Sequence, residues 1–307
     1  MIKNLNYILK KANQGKYAVA AFNVNNMEFI KSITNAASKA KSPLILQTSE
    51  GAIDYAGLDY LYSMMKIAAE STKIPVAIHL DHGRDMKVIK QCINKGYTSV
   101  MIDSSHENFK RNIQLTKRVV SWASQKGVSV EAELGTIGGT EDKVSAKKII
   151  YTNPDMAVEF VEKTGIDALA IAIGTSHGAH KFMGSAKLNM EILKEIKHRL
   201  KMPLVLHGAS SVPQRLVKES EKYGAKFKHM VGVPDSELRL AVKHGINKVN
   251  TDTDLRLSFL MGIRRKLAKD KSVFDPRKLM KSGTDVIEKT VLERIKIMKS
   301  GGKAWRS

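Results

Sequence analysis

Along this chain, short runs in which nearly every position is apolar or β-branched alternate with longer stretches whose apolar residues recur at helical spacing. The short runs are YAVAAFN (17–23), PLILQTS (43–49), PVAIHLD (75–81), TSVMID (98–103), VSVEAELG (128–135), DALAIAIG (167–174), PLVLHGA (203–209) and INKVNTD (246–252), eight in all. Nearly continuous apolar character suits parallel strands buried on both faces. Helical stretches such as MEFIKSITNAASKAK and NFKRNIQLTKRVVSWASQKG lie between them, the second ending on a glycine stop signal. Eight strand–helix units predict an α/β fold, a (β/α)8 TIM barrel; an open doubly wound sheet is the alternative that periodicity alone leaves standing.

No Pro-, Gly- or Ser-rich linker divides the sequence, so a single barrel domain over 1–307 is expected. Two connections, 135–155 and 210–236, exceed a simple turn, and segments of that length are often lids or binding loops. From about 254 the pattern reads as additional C-terminal helices ending in GGKAWRS.

Composition narrows the setting. No apolar run approaches the ~20 residues of a membrane span, and the N-terminus lacks an apolar stretch followed by a cleavage site. Cys92 is the single cysteine, which rules out an internal disulfide and points to a reducing, cytoplasmic environment. The formal charge of +21 is spread along the chain without like-charge blocks, and only 6% of residues are aromatic. That distribution reads as a lysine-rich surface that attracts anionic metabolites, with no dedicated nucleic-acid or membrane partner.

In a barrel, the C-terminal ends of the strands converge on one mouth, where the active site is built. Here those ends carry Asn23, Ser49, Asp81 and His82, Asp103, Glu131 and Glu133, Thr175 to His177, His207 and Gly208, and Asn250 to Asp252. Three histidines at corresponding strand ends (His82, His177 and His207) leave a fourth zinc position for water or substrate. Asp81 directly precedes His82, which places it on the rim rather than among the ligands. There it reads either as a general acid/base or as a partner orienting a histidine. Asp103 and Glu133 offer oxygen donors for a further metal position, or balance buried charge. Glu141 in GTIGGTEDKVSAKK is a carboxylate that loop closure can bring to the site. HGASS (207–211) and NTDTD (250–254) supply small residues for phosphate binding, with Ser210 and Thr253 as hydroxyl donors and Lys181 and Arg256 as cations. No lysine stands at a strand end in the way imine chemistry requires; Lys248, inside the eighth run, is the nearest exception.

The motifs HLDHG, VEAELG with IGGTED, AIGTSHG, PLVLHGAS and KVNTDTDLR, running from AFNVNN to FDPRK, resemble the class II, metal-dependent fructose-bisphosphate aldolases, in the branch that includes tagatose-bisphosphate aldolases. The resemblance implies reversible cleavage of fructose 1,6-bisphosphate to triose phosphates through a zinc-stabilised enediolate. It assigns the catalytic Zn2+ to His82, His177 and His207, and a second divalent metal to Asp103 and Glu133. Proton exchange at the hydroxyl beside the broken bond falls to Asp81, and at the dihydroxyacetone phosphate carbon to Glu141. Gly178, Lys181, Gly208, Ala209, Ser210, Asn250, Thr251, Asp252 and Thr253 form the dihydroxyacetone phosphate pocket, with Ser49 facing the aldehyde half and Asn23 near the substrate. A monovalent cation (Na+ or K+) and a homo-oligomer, dimer or tetramer, are also implied. Asp252 with Arg256 favours fructose over tagatose 1,6-bisphosphate; a non-catalytic basic binding protein is the remote alternative. His180 departs from the family, which usually has an aromatic residue there.

Overall fold

A computed structural model describes residues 1–141, 144–146, 149–177, 187–227 and 230–304, with 140, 141, 144–146 and 177 described in backbone only. Each apolar run marks one strand of a closed parallel barrel: β1 (Val19–Asn23), β2 (Leu44–Thr48), β3 (Val76–Gly83, two residues past its run), β4 (Ser99–Ile102) and β5 (Ser129–Leu134). Two short strands follow, β6 (Gly138–Glu141) and β7 (Val144–Ala146), then barrel strand β8 (Ala168–Ile171), the short β9 (Ser176–His177), and barrel strands β10 (Leu204–Leu206) and β11 (Ile246–Thr251). The barrel closes in the order β1-β11-β10-β8-β5-β4-β3-β2, while β7-β6-β9 form a separate small sheet. The open sheet is thereby excluded.

Side chains two apart on a strand share a face, and the core divides accordingly. Phe22, Leu46, Ile78, Leu80, Val100, Ile102, Ala132 and Leu206 belong to the large cluster between strands and helices. Val19, Ala21, Ile45, Ala77, Met101, Ala168, Ala170 and Val205 form a second cluster, which the helix Leu5–Gln14 joins through Leu5, Ile8, Leu9 and Ala12. This second cluster fills one end of the lumen. On the same alternation, further along the strands, stand Gln47, His79, Glu131 and Lys248, then Asn23, Asp81, Asp103, Glu133, His207 and Asn250, all buried. The lumen therefore changes from apolar to polar toward the C-terminal ends of the strands.

Helix starts are set by side chains. Asn26, Ser49, Asp85, Asn108, Asn153 and Asn189 each accept a hydrogen bond from a backbone N–H of the first turn. Two additional C-terminal helices, Thr253–Lys269 and Pro276–Met298, pack closely on one another; a Cβ at Gly262 would lie 2.2 Å from the Ser282 carbonyl oxygen. No helix among the described residues is long and apolar enough to cross a membrane.

Candidate active site

The site begins with an irregularity in β3. Adjacent residues of a regular strand point to opposite faces, so Asp81 and His82 should not address the same space. The β3–β4 register shifts between Leu80 and Gly83, and His82 takes the left-handed conformation with φ 46°. This bulge turns both side chains inward. The next residue must be glycine: a Cβ at Gly83 would sit 2.6 Å from the Met101 carbonyl oxygen and 2.7 Å from Ile89. The donor atoms of Asp81, His82 and His207 consequently lie within 4.8 Å of one another. Asp81 therefore shares one small space with the two imidazoles.

Asp81 is held by three side-chain amides. Asn23 Nδ2 and Gln47 Nε2 donate to its Oδ2 at 2.9 and 3.0 Å, and Asn250 Nδ2 donates to Oδ1 at 2.8 Å. Asp81 is 5% exposed, so its orientation is fixed by protein rather than by water. The rings of His82 and His207 meet edge to face at a centroid distance of 4.4 Å.

Each of these imidazoles has one nitrogen on a buried carboxylate. His82 Nδ1 is 3.1 Å from Asp103 Oδ2, and His207 Nε2 is 2.6 Å from Glu131 Oε1. Each carboxylate in turn meets a cation: Arg84 Nε and Nη2 reach Asp103 Oδ2 at 3.0 and 2.9 Å, and Lys248 Nζ reaches Glu131 Oε2 at 2.9 Å. Ser105 donates from its backbone N–H and its hydroxyl to Asp103 Oδ1. Burial acts to lower the His82 imidazole, but the Asp103 hydrogen bond and the charges of Asp81, Asp103 and Glu133 outweigh it and raise the group to about 10. Burial, reinforced by Asp103, pushes Glu133 up to about 8. His79 moves the other way: burial and the nearby Lys248 hold it well below the usual imidazole range.

The donor set suits a metal. Imidazole and carboxylate ligands match zinc, and a ligand histidine whose other nitrogen meets a carboxylate is the usual orienting arrangement. His82, Asp103 and Glu133 form a second group with donor atoms within 4.8 Å, and Glu133 Oε2 is buried with no hydrogen-bond partner among the described residues. The backbone of His177 lies in β9, whose ladder joins it to the glycine-rich segment.

At the mouth, the Ser210 hydroxyl accepts from the backbone N–H of Asp252 at 3.2 Å, tying the loop after β10 to the loop after β11. Gly208 takes φ 60°, and a Cβ there would lie 2.8 Å from the Ser176 carbonyl. Asn250 and Thr251 end β11, and Thr253 opens the helix Thr253–Lys269, where backbone N–H groups favour an anion. Ala209, Ser210, Thr251, Asp252 and Thr253 are buried at this rim. Arg256 reaches back one helical turn, its Nη2 2.7 Å from Asp252 Oδ2 and its Nε 3.0 Å from Oδ1. Asp254 fixes the other side of the loop, accepting from the N–H groups of Ser211 and Val212. Ser49 is the N-cap of Glu50–Ala56, its hydroxyl accepting from Ala52 N–H.

Gly178, His180 and Lys181 lie outside the described residues, as do the side chains of Glu141 and His177. The orienting contacts of Gln47, Arg84 and Glu131 carry no motif of their own, and Lys248 was expected only as the nearest exception to the lack of an imine-forming lysine. Lys248 is fully buried against Glu131, beneath the cluster. A usable signal was present: Gln47, Glu131 and Lys248 occupy lumen-facing positions of their runs.

Known proteins share this architecture. The family model for fructose-bisphosphate aldolase class-II matches residues 3–303. A fructose-bisphosphate aldolase of Helicobacter pylori is 46% identical over 99% of this chain and 100% of its own length. One from Thermus caldophilus is 44% identical over 97% and 98%. Among solved structures, the YdjI aldolase from Escherichia coli K12 matches with a TM-score of 0.83 and 33% identity, covering 99% of this chain and 100% of that one. Full-length identity at this level, together with a barrel whose mouth gathers histidines and carboxylates, makes the chain a member of the class-II fructose-bisphosphate aldolase family.

Proposed function

We propose that the chain catalyses the reversible cleavage of fructose 1,6-bisphosphate to dihydroxyacetone phosphate and glyceraldehyde 3-phosphate, with zinc held by His82, His177 and His207. The observation that carries this reading is the amide-clamped Asp81 carboxylate, set in the same small space as the imidazoles of His82 and His207. When bound, zinc supplies Lewis-acid polarisation of the substrate carbonyl.

The chain's own residues do the rest. Asp81 takes the proton from the hydroxyl beside the breaking carbon–carbon bond and returns it in the aldol direction. Asn23, Gln47 and Asn250 keep its oxygens aimed, so little reorganisation accompanies the transfer. Glu141 moves the second proton, at the dihydroxyacetone phosphate carbon. Gly208, Ala209, Ser210 and Asn250 to Thr253 bind that product's phosphate, with Gly178 and Lys181 completing the pocket. Asp252 reads a hydroxyl configuration and Arg256 meets the distant phosphate, while Ser49 and Asn23 border the aldehyde half.

A second divalent ion would be held by Asp103 and Glu133, the former also paired with Arg84. A Na+ or K+ ion would be held beside the phosphate loops, and the enzyme would work in the cytoplasm as a homodimer or homotetramer. The test is cleavage of fructose and tagatose 1,6-bisphosphate, followed by triose-phosphate detection, before and after chelation and with zinc restored. Chelator-sensitive activity, rescued by zinc and strongest on the fructose substrate, is expected. Activity that survives complete metal removal would overturn the metal role, and a tagatose preference would overturn the Asp252–Arg256 argument.

A further inference from the structure

Beneath the metal cluster lies a buried polar layer that the proposed reaction does not use. Lys248 and Glu131 are both fully buried, and Lys248 Nζ contacts Glu131 Oε2 at 2.9 Å and Oε1 at 3.1 Å. Its other polar neighbour among the described residues is His79 Nε2 at 3.4 Å, and His79 Nδ1 pairs with the Ser99 hydroxyl at 2.8 Å. A buried ion pair of this kind costs desolvation and gives little net stability, so it calls for another role.

Hydrogen-bond directions supply one. The Nδ2 of Asn250 faces Asp81 Oδ1 at 2.8 Å, and a carboxylate oxygen requires a donor there. The same Nδ2 is 2.9 Å from His207 Nδ1, which must then be the acceptor nitrogen. The ring proton therefore sits on Nε2 and is donated to Glu131 Oε1 at 2.6 Å. Glu131 Oε1 accepts from both His207 and Lys248, so the lysine fixes which oxygen faces the ring and keeps that face an acceptor.

We propose that Lys248, acting through Glu131, is a positioning residue that holds His207 in its Nε2–H tautomer and so presents Nδ1 to the metal position. The metal part of this inference rests on the function proposed above; the tautomer part does not. With the ammonium absent, Glu131 loses the partner that orients it, and His207 distributes between tautomers, only one of which offers Nδ1. The effect reaches the metal by way of two side chains, without Lys248 touching substrate.

The test uses the full chain with histidine 15N labels. Long-range 1H–15N spectra of the metal-free protein report the His207 tautomer, with His207→Asn fixing the assignment. Competition with a chromophoric chelator reports zinc affinity, and thermal unfolding reports folding. Lys248→Met is expected to lose the pure Nε2–H pattern and to weaken zinc binding by about 10–100-fold, the range seen when outer partners of metal ligands are removed. An unchanged tautomer in folded Lys248→Met overturns the proposal, whatever happens to zinc binding, and so does zinc affinity within threefold of wild type. Should Lys248→Met fail to fold, Glu131→Gln decides by the same two readouts, because it keeps the side-chain size and an acceptor for Lys248. Because the tautomer is read without metal or substrate, its result is separate from success or failure of the cleavage assay.

Discussion

Replacing Asp81 by Asn separates chemistry from architecture. The substitution preserves shape, so its structural cost follows from the three amides around the carboxylate. Two donors, Asn23 and Gln47, converge on Oδ2, and one, Asn250, on Oδ1. The substituted side chain will turn its carbonyl oxygen toward the pair and its amide toward Asn250. One acceptor is thereby lost and two donors face each other. Asn250 cannot flip without giving up its contact to His207 Nδ1. An unsatisfied buried polar group costs about 1–3 kcal/mol, which at roughly 2–4 °C per kcal/mol for a large domain lowers Tm by roughly 2–12 °C. Removing a general acid/base lowers kcat by about 10²–10⁴-fold, equivalent to roughly 3–5 kcal/mol. The chemical loss should therefore exceed the structural one. The assay is fructose 1,6-bisphosphate cleavage at saturating zinc, with metal content and Tm measured on the same preparation. Saturating zinc matters because a carboxylate oxygen of Asp81 lies within 4.8 Å of donor atoms of His82 and His207, and weaker metal binding alone would also slow turnover. A folded, zinc-loaded Asp81→Asn enzyme whose kcat falls less than tenfold would refute the proton-transfer role.

Three further outcomes follow from the geometry. Gly208→Ala places a Cβ 2.8 Å from the Ser176 backbone at φ 60°; a raised KM and a Tm several degrees lower are expected, and wild-type kinetics would show that the loop adjusts freely. Arg256→Ala should raise KM for fructose 1,6-bisphosphate about tenfold or more, with a smaller change in kcat, since it removes binding rather than proton transfer; steady-state kinetics check this. Burial pushes the Cys92 thiol up to about 12, whereas an unfolded thiol titrates near ~8.5. Above that pH the unfolded chain releases a proton that the folded one retains, so this stabilising contribution is complete below ~8.5 and declines as pH rises toward 12. Urea unfolding at pH 8 and 10 should show wild type losing more stability than Cys92→Ala, and equal losses would contradict the assignment.

Much of this was legible in the sequence because a buried parallel barrel leaves a strong mark. Each of the eight apolar runs marks one barrel strand, since strands covered on both faces tolerate few polar residues. The small sheet was not legible. Strands of two to four residues in a glycine-rich segment carry no periodicity to detect. The closeness of Asp81 to both imidazoles was hidden for a different reason. It depends on the bulge at His82, a backbone irregularity that residue types do not announce. Glu131 and Lys248 were visible as charges in otherwise apolar runs. Their partnership needs the closure of the barrel, which brings β5 and β11 side chains together across the lumen.

The small sheet bears on how the site fills and empties. Gly138 and Gly139 of β6 run parallel to Ser176 and His177, while Glu141 pairs with Val144 across the hairpin. The segment proposed to carry a proton and the segment proposed to grip the metal thus share one backbone ladder. A displacement of either must be transmitted to the other or break hydrogen bonds. Metal retention and the placement of the glycine-rich segment then become linked quantities, and linkage runs both ways: whatever free energy metal binding adds to one arrangement of that segment, that arrangement must add to metal binding. Metal affinity and the equilibrium position of that segment would, on this arrangement, be two readings of a single free energy.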